Sequence, residues 1–105
     1  MAWFWLSFAG LLEIVWAVAM KQSEGFTRLW PSVLTLAAMV GSVLLLGLAM
    51  KTLPLGTAYT VWTGIGAVGA FVVGILFLGE PVTALRLIAA SLIVGGLVLM
   101  KMSST

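Results

Sequence analysis

The sequence predicts an all-α integral membrane protein with four transmembrane helices. Hydrophobic residues make up 63% of the 105 residues and charged residues only 8%, against about 25% charged residues in a typical soluble domain. The mean hydropathy is +1.26. So few charges cannot cover the surface of a water-soluble fold of this size. The apolar residues also fall into runs close to the ~20 residues that a spanning helix needs. Together these observations set the fold class.

Four such runs follow one another, separated by short polar connectors. They cover residues 2–20, 31–50, 56–78 and 83–100, and together they form a single transmembrane domain over residues 1–105. No Lys or Arg precedes the first run, so we interpret it as a spanning helix rather than a cleaved signal peptide. Pro31 suits the first turn of the second helix, where its missing N–H has no helical partner to lose. Arg86 lies one turn from the start of the fourth run, where its side chain reaches the headgroups.

Four spans place both chain termini on one side of the membrane, and the basic residues are nearly balanced between the two sides. Lys51 and Lys101 lie on the terminus side, and Lys21, Arg28 and Arg86 lie on the other. Since the Lys/Arg bias sets orientation in the membrane, the chain has little preference for either orientation. Two copies inserted in opposite directions could then pair antiparallel, a possibility that the count alone leaves open.

The composition also excludes several kinds of chemistry. The chain has no Cys and no His, which excludes disulfides, thiol nucleophiles, imidazole bases and the common zinc and haem ligand sets. We therefore expect no metal, no cofactor and no enzymatic activity. The net charge of +2 is spread along the chain without a basic cluster, so nucleic acid is not an expected partner.

Glu13 is the strongest single functional signal, because it lies near the middle of the first span. A charged residue at that depth costs about 2.5–3.5 kcal/mol, and such residues usually line polar pathways. Burial disfavours the ionised form, so Glu13 is suited to carry a proton, and an arriving cation would displace that proton. Competition between the proton and the cation for one carboxylate is enough to couple their transport. The alternative is a protonated Glu13 that only ties its helix to a neighbour.

Aromatic and small residues in the other spans could join Glu13 in one cavity. Trp16 shares a helix face with Glu13, and its indole N–H could bond the carboxylate or wall a pocket. Tyr59 and Trp62 form an aromatic stripe, a surface that binds organic cations but also occurs in ordinary packing. Counted from the terminus side, Trp62 lies at about 9 Å, Ser42 at about 12 Å and Glu13 at about 16 Å depth.

Gly66 and Gly69 continue the same stripe along the third span. Gly64 and Gly66 belong to a GxGxxG pattern, but no strand or βαβ unit surrounds it, so a dinucleotide site is not predicted. Glycines in mid-helix mark close packing or a bend. In the fourth span, Ser91 and Gly95 have the small-xxx-small spacing that favours helix association.

Several motifs together resemble the small multidrug resistance transporters over the whole chain. They are the acid in the first span and the segments Gly25-Phe26-Thr27-Arg28, Trp30-Pro31-Ser32 and Gly56-Thr57-Ala58-Tyr59-Thr60-Val61-Trp62-Thr63-Gly64-Ile65-Gly66. The segments 13–17, 51–54 and 62–67 are similar to the guanidinium-exporter subtype. The quaternary-ammonium subtype typically has Gly in place of Trp16 and often Tyr in place of Met39. One departure is Thr60, where the exporter subtype commonly has Ala.

This resemblance implies a multi-pass protein of the bacterial plasma (inner) membrane that forms an antiparallel, dual-topology homodimer. It implies that guanidinium, or a small guanidinyl cation, exchanges for protons at a site shared by both copies of Glu13. Trp16, Ser42, Tyr59 and Trp62 would line that site, and Gly64 and Gly66 would bend the third helix.

The alternatives are an exporter of quaternary ammonium or other multidrug cations with the same mechanism, a passive cation channel, and a membrane assembly subunit without transport activity.

Overall fold

Four helices account for most of residues 1–103, the part of the chain that the computed structural model describes. They are α1 (Ala2–Gln22), α2 (Leu29–Ala49), α3 (Leu55–Phe77) and α4 (Ala84–Ser103). Each is long and apolar enough to cross a membrane, which confirms the prediction of an all-helical chain with four spans. The helix ends differ slightly from the predicted spans: α2 begins before Pro31, at Leu29, and α4 continues beyond residue 100 to Ser103.

Proline residues fit the starts of two helices. Pro31 lies in the first turn of α2, so its missing N–H breaks no helical hydrogen bond. Pro54 is the N-cap residue of α3, with φ −61° and ψ 151°. These extended dihedral angles at Pro54 separate α3 from the turn that follows α2.

The connection between α1 and α2 is a tight turn organised by Ser23, which is fully buried. The Ser23 hydroxyl donates to the Met20 carbonyl at 2.7 Å and accepts the Phe26 N–H at 3.1 Å. Three successive residues have left-handed backbones, namely Glu24 (φ 50°), Gly25 (φ 75°) and Phe26 (φ 68°). Only the glycine adopts this conformation without steric cost, so the Ser23 hydrogen bonds hold a strained segment in place.

The hydrophobic core lies towards the end of the bundle that carries the chain termini. It is formed by the start of α1, the end of α2 and the start of α3, through Leu6, Ala9, Leu46, Ala49, Ala58 and Val61. Three of these residues are alanines with no exposed surface. Small side chains let helix backbones approach closely, which is the main source of helix packing in a membrane.

Helix α4 is peripheral in the described chain. Its backbone lies close to that of α3 alone among the other described helices, and none of its described residues is buried. At its C-terminal end the Lys101 ammonium lies 4.2 Å from the centre of the Trp3 ring, a cation–π contact with the start of α1. The molecule is a flat layer of 42 × 35 × 16 Å, so both broad faces are open to lipid or to another protein.

Candidate functional site

The side chain of Glu13 lies at the contact between α1 and α3. One of its carboxylate oxygens, Oε1, is buried and has no hydrogen-bond partner among residues 1–103. The carboxylate lies against Gly66, and a Cβ atom added to Gly66 would overlap it. Glycine at position 66 is therefore what leaves room for an acid inside the bundle. An unpaired buried carboxylate oxygen is costly, which marks this oxygen as a place for a ligand or a proton.

Glycines on both helices bring α1 and α3 together around Glu13. A Cβ at Gly69 would overlap Ile14, and a Cβ at Gly10 would overlap Ile65. These contacts show that α1 packs directly on α3 on both sides of Glu13. The sequence predicts a stripe along α3 that begins with Tyr59 and Trp62 and ends with two glycines. Those two glycines, Gly66 and Gly69, face α1.

A hydrogen-bonded cluster joins three helices one turn away from Glu13. Ser42 of α2 is fully buried, and its hydroxyl donates to the Ala9 carbonyl of α1 at 2.6 Å. The same hydroxyl accepts the indole N–H of Trp62 of α3 at 2.9 Å. Ala9 precedes Glu13 by four residues, so its carbonyl also accepts the Glu13 backbone N–H in a regular helix. Since Ser42 has one O–H and gives it to Ala9, it does not donate to the Glu13 side chain here.

Trp16 lies one turn beyond Glu13 on the same helix. Its indole Nε1 is buried and has no hydrogen-bond partner among the described residues. The indole N–H therefore does not donate a hydrogen bond to the Glu13 carboxylate. Of the two roles that the spacing allows, this leaves that of a pocket wall. The site holds an unpaired acceptor and an unpaired donor, one helical turn apart.

Tyr59 extends the aromatic surface away from the Ser42 cluster. Its ring meets the Trp62 ring edge-on, with centroids 5.5 Å apart, and it is 53% exposed. It also lines an apolar groove of about 540 Å³ between α3 and α4, together with Gly64. The structure thus joins Ser42, Trp62 and Tyr59 in one contact chain and places Glu13 against Gly66 in another.

The two glycines predicted to bend α3 lie inside an unbroken helix. Gly64 faces α4, where an added Cβ would overlap Leu97, and Gly66 faces Glu13 on α1. In this structure both glycines serve close packing on opposite neighbours.

The site has the sequence signature of a known family. Residues 1–93 match the family model described as Small Multidrug Resistance protein. The chain belongs to the small multidrug resistance family. Among its curated relatives, proteins named "Guanidinium exporter" from Citrobacter freundii and Salmonella typhimurium are 56% and 57% identical to it over 104 residues, with 99% of each chain covered. A third protein of that name, from Yersinia pseudotuberculosis, is 54% identical over 99% of this chain and all of its own length.

Membership of this family, together with four apolar spans, makes the chain a multi-pass protein of the bacterial inner membrane. The relatives are named as exporters rather than as enzymes. Residues 1–103 contain no group of three or more acidic, His or Cys residues that could hold a metal ion.

Two features of this family member's site were not predicted from the sequence. The first is the Ala9 carbonyl as the partner of Ser42, which no side-chain pattern reveals. The second is the direct contact of Gly66 with Glu13. A signal for it existed, since Gly66 continues the stripe of Tyr59 and Trp62, but the sequence does not show which helix the stripe faces.

Proposed function

We propose that this protein is a proton-coupled antiporter that exports guanidinium or small guanidinyl cations. One observation carries the proposal: Glu13 places an unpaired, buried carboxylate oxygen at the middle of a membrane-spanning helix. The choice of substrate is supported by the name that the full-length relatives carry.

Coupling follows from the single carboxylate that each chain offers within its spans. When Glu13 is protonated, it has no charge with which to hold a cation, and when it holds a cation it is ionised. Release of one ligand therefore accompanies binding of the other. If the site opens to one side of the membrane at a time, this competition exchanges protons for cations.

Guanidinium suits the polar atoms around Glu13. It is planar, stays charged near neutral pH and offers parallel N–H donors that match a carboxylate in a bidentate pair. The unpaired Oε1 of Glu13 supplies the acceptor. We assign the lining of the site to Trp16, Ser42, Tyr59 and Trp62. The three aromatic side chains among them offer ring faces for a flat cation. The bond from Trp62 to Ser42 would hold one of those rings in position.

We further propose that two copies form an antiparallel, dual-topology homodimer with both Glu13 residues in one site. Glu13 lines none of the four most prominent grooves of the described chain, and a second copy would close a cavity around it. The nearly balanced Lys and Arg residues permit insertion in both orientations. Gly95 and Gly96 of α4 have open space where a Cβ would be, which leaves a small-residue surface for the second copy.

Alternating access needs a movable element, and we propose α3 for this role. Gly64 and Gly66 are two residues apart and pack against different helices, Gly64 against α4 and Gly66 against α1. Glycine tolerates backbone changes that other residues resist, so a bend between them would shift the Glu13 contact relative to α4.

The test is transport by the purified protein in liposomes, measured as guanidinium-driven current and proton movement. The variants are Glu13→Gln and, as a matched control, Glu24→Gln, which neutralises an exposed loop acid. The proposal expects proton countermovement with guanidinium in the wild type and in Glu24→Gln, and none in Glu13→Gln.

Other outcomes select other functions. Exchange driven by tetramethylammonium but not by guanidinium would replace the substrate and keep the mechanism. A guanidinium current without proton movement that survives in Glu13→Gln would indicate a passive channel. No response to either cation would leave Glu13 as a packing residue in a non-transporting protein.

A further inference from the structure

An apolar groove of about 600 Å³ lies at the end of the bundle opposite the hydrophobic core. Its floor includes Ile14 of α1, Leu34 of α2 and Val73 of α3. Its mouth is formed by the end of α1 at Gln22, by Arg28, and by Trp30 at the start of α2. Along α1 the groove runs from Gln22 to Ile14, a length of about 12 Å at the rise of a helix. One leaflet of a bilayer has a hydrocarbon depth of about 15 Å. The groove therefore has the depth of a single leaflet.

The mouth of the groove carries an uncompensated positive charge. Arg28 lines the groove, and its guanidinium makes no ion pair or cation–π contact with any residue in the described range 1–103. The second arginine on the same side of the membrane differs in this respect. Arg86 lies 3.8 Å from the Glu80 carboxylate and 5.4 Å from the centre of the Phe71 ring. Within residues 1–103, Arg28 is thus the arginine whose guanidinium has neither a carboxylate nor an aromatic ring beside it.

The backbone around Arg28 is fixed, so its side chain starts from a defined position at this mouth. The Arg28 N–H donates to the Ser23 carbonyl at 3.1 Å, and the Arg28 carbonyl accepts the Ser32 hydroxyl at 2.5 Å. The three left-handed residues that precede Thr27 are held by the buried Ser23. Strained segments persist only where the surrounding structure determines them. The turn therefore sets where Arg28 stands relative to the groove.

We propose that this groove is a binding site for an anionic phospholipid. Arg28 would pair with the lipid phosphate, since a guanidinium binds phosphate through two parallel hydrogen bonds. One acyl chain would lie along Ile14, Leu34 and Val73. Trp30 is 77% exposed and lines the mouth of the groove. Tryptophan side chains are enriched at the membrane interface, and Trp30 would pack there between the lipid headgroup and the acyl chain. The site is separate from transport, because neither Glu13 nor its proposed partners line the groove.

The test measures lipid retention by native mass spectrometry of the purified full-length protein in detergent. The protein is titrated with phosphatidylglycerol and, separately, with zwitterionic phosphatidylcholine of the same chain length. One arginine beside an anionic headgroup strengthens binding by about fivefold. We expect the wild type to prefer phosphatidylglycerol by about that factor, and Arg28→Gln to lose the preference.

Three further variants make the test specific. Arg86→Gln is the matched control and should keep the preference, because Arg86 is already paired with Glu80. Arg28→Lys should keep part of it, since the charge remains without the planar fork. Leu34→Trp should weaken retention of both lipids, because it fills the floor of the groove. Gel filtration checks that each variant keeps the wild-type assembly.

Several results would overturn the proposal. These are equal retention of both lipids by the wild type, an unchanged preference in Arg28→Gln, and an equal loss of preference in Arg86→Gln. The proposal would also be overturned if Arg28→Gln dissociates the protein's oligomer but keeps the lipid preference. That result would mean that a second copy of the chain covers the groove.

Discussion

Replacing Gly66 by alanine places one methyl group where the Glu13 carboxylate lies. The new Cβ would overlap the carboxylate group and crowd the Glu13 Cγ at 2.8 Å. A retreat of the α3 backbone would pull Gly69 away from Ile14, against which it packs one turn further on. The Glu13 side chain must therefore rotate away from α3, and it loses the position in which we propose that it binds the cation.

The size of the effect follows from the cost of that rearrangement. An extra methyl group in a packed interior costs about 1–3 kcal/mol. If the cation must restore the original position of Glu13 in order to bind, the same energy is subtracted from binding. This corresponds to a loss of apparent guanidinium affinity between about 5-fold and about 150-fold.

The assay is the concentration dependence of guanidinium-driven current in proteoliposomes, which separates apparent affinity from maximal rate. Two alanine variants serve as controls. Gly47→Ala meets open space and should match the wild type. Gly64→Ala overlaps Leu97 rather than Glu13, so it should slow transport without changing the apparent affinity. Wild-type affinity in Gly66→Ala, or an equal loss of affinity in Gly64→Ala, would refute the reasoning.

Three further predictions follow from the site and its surroundings. Ser42→Ala leaves the indole N–H of the half-buried Trp62 without its acceptor. This should lower the free energy of unfolding by about 1–3 kcal/mol, measured by denaturant titration against Ser91→Ala. The proposed competition of protons and guanidinium for Glu13 implies that lowering the pH on the guanidinium side should raise the apparent KM and leave the maximal rate unchanged; a lowered maximal rate at constant KM would contradict it. Glu80→Gln removes a half-exposed ion pair with Arg86, and because such pairs contribute about 0–1 kcal/mol, transport and thermal stability should stay close to the wild type.

The helices and the central acid could be predicted because they depend on local properties of the chain. Four runs of apolar residues have the length of a membrane span, and Glu13 interrupts the first run at mid-depth. Depth counting also placed Trp62 and Ser42 at similar levels, and the structure joins them by a hydrogen bond of 2.9 Å. Rise per residue is a constant of the helix, so depth can be estimated without knowledge of the packing.

The partners of these residues could not be predicted, because they depend on how each helix is rotated about its axis. Ser42 lies close enough in depth to Glu13 to suggest a contact, but its hydroxyl donates to the Ala9 carbonyl instead. The Trp16 indole N–H has the right spacing to reach Glu13 and does not bond it. Helix spacing defines which residues share a face, whereas the neighbour of that face is decided by packing.

The first connection escaped prediction for a different reason. Its sequence has one glycine, Gly25, yet Glu24 and Phe26 on either side also adopt left-handed backbones. Local propensity assigns that conformation to glycine alone. The buried Ser23 hydroxyl stabilises the turn through bonds to Met20 and Phe26, and this effect appears only when the turn is complete.

The position of α4 has a thermodynamic consequence. A helix with no buried residue gains less free energy from its own chain than the other three helices do. Much of what holds it in place therefore comes from lipid or from another protein molecule. Where it comes from a protein, mass action makes the stability of α4 depend on the number of molecules per unit area of bilayer. Dilution with lipid would then loosen α4 and leave the α1–α3 core intact, whereas a helix ordered by lipid would not respond to dilution.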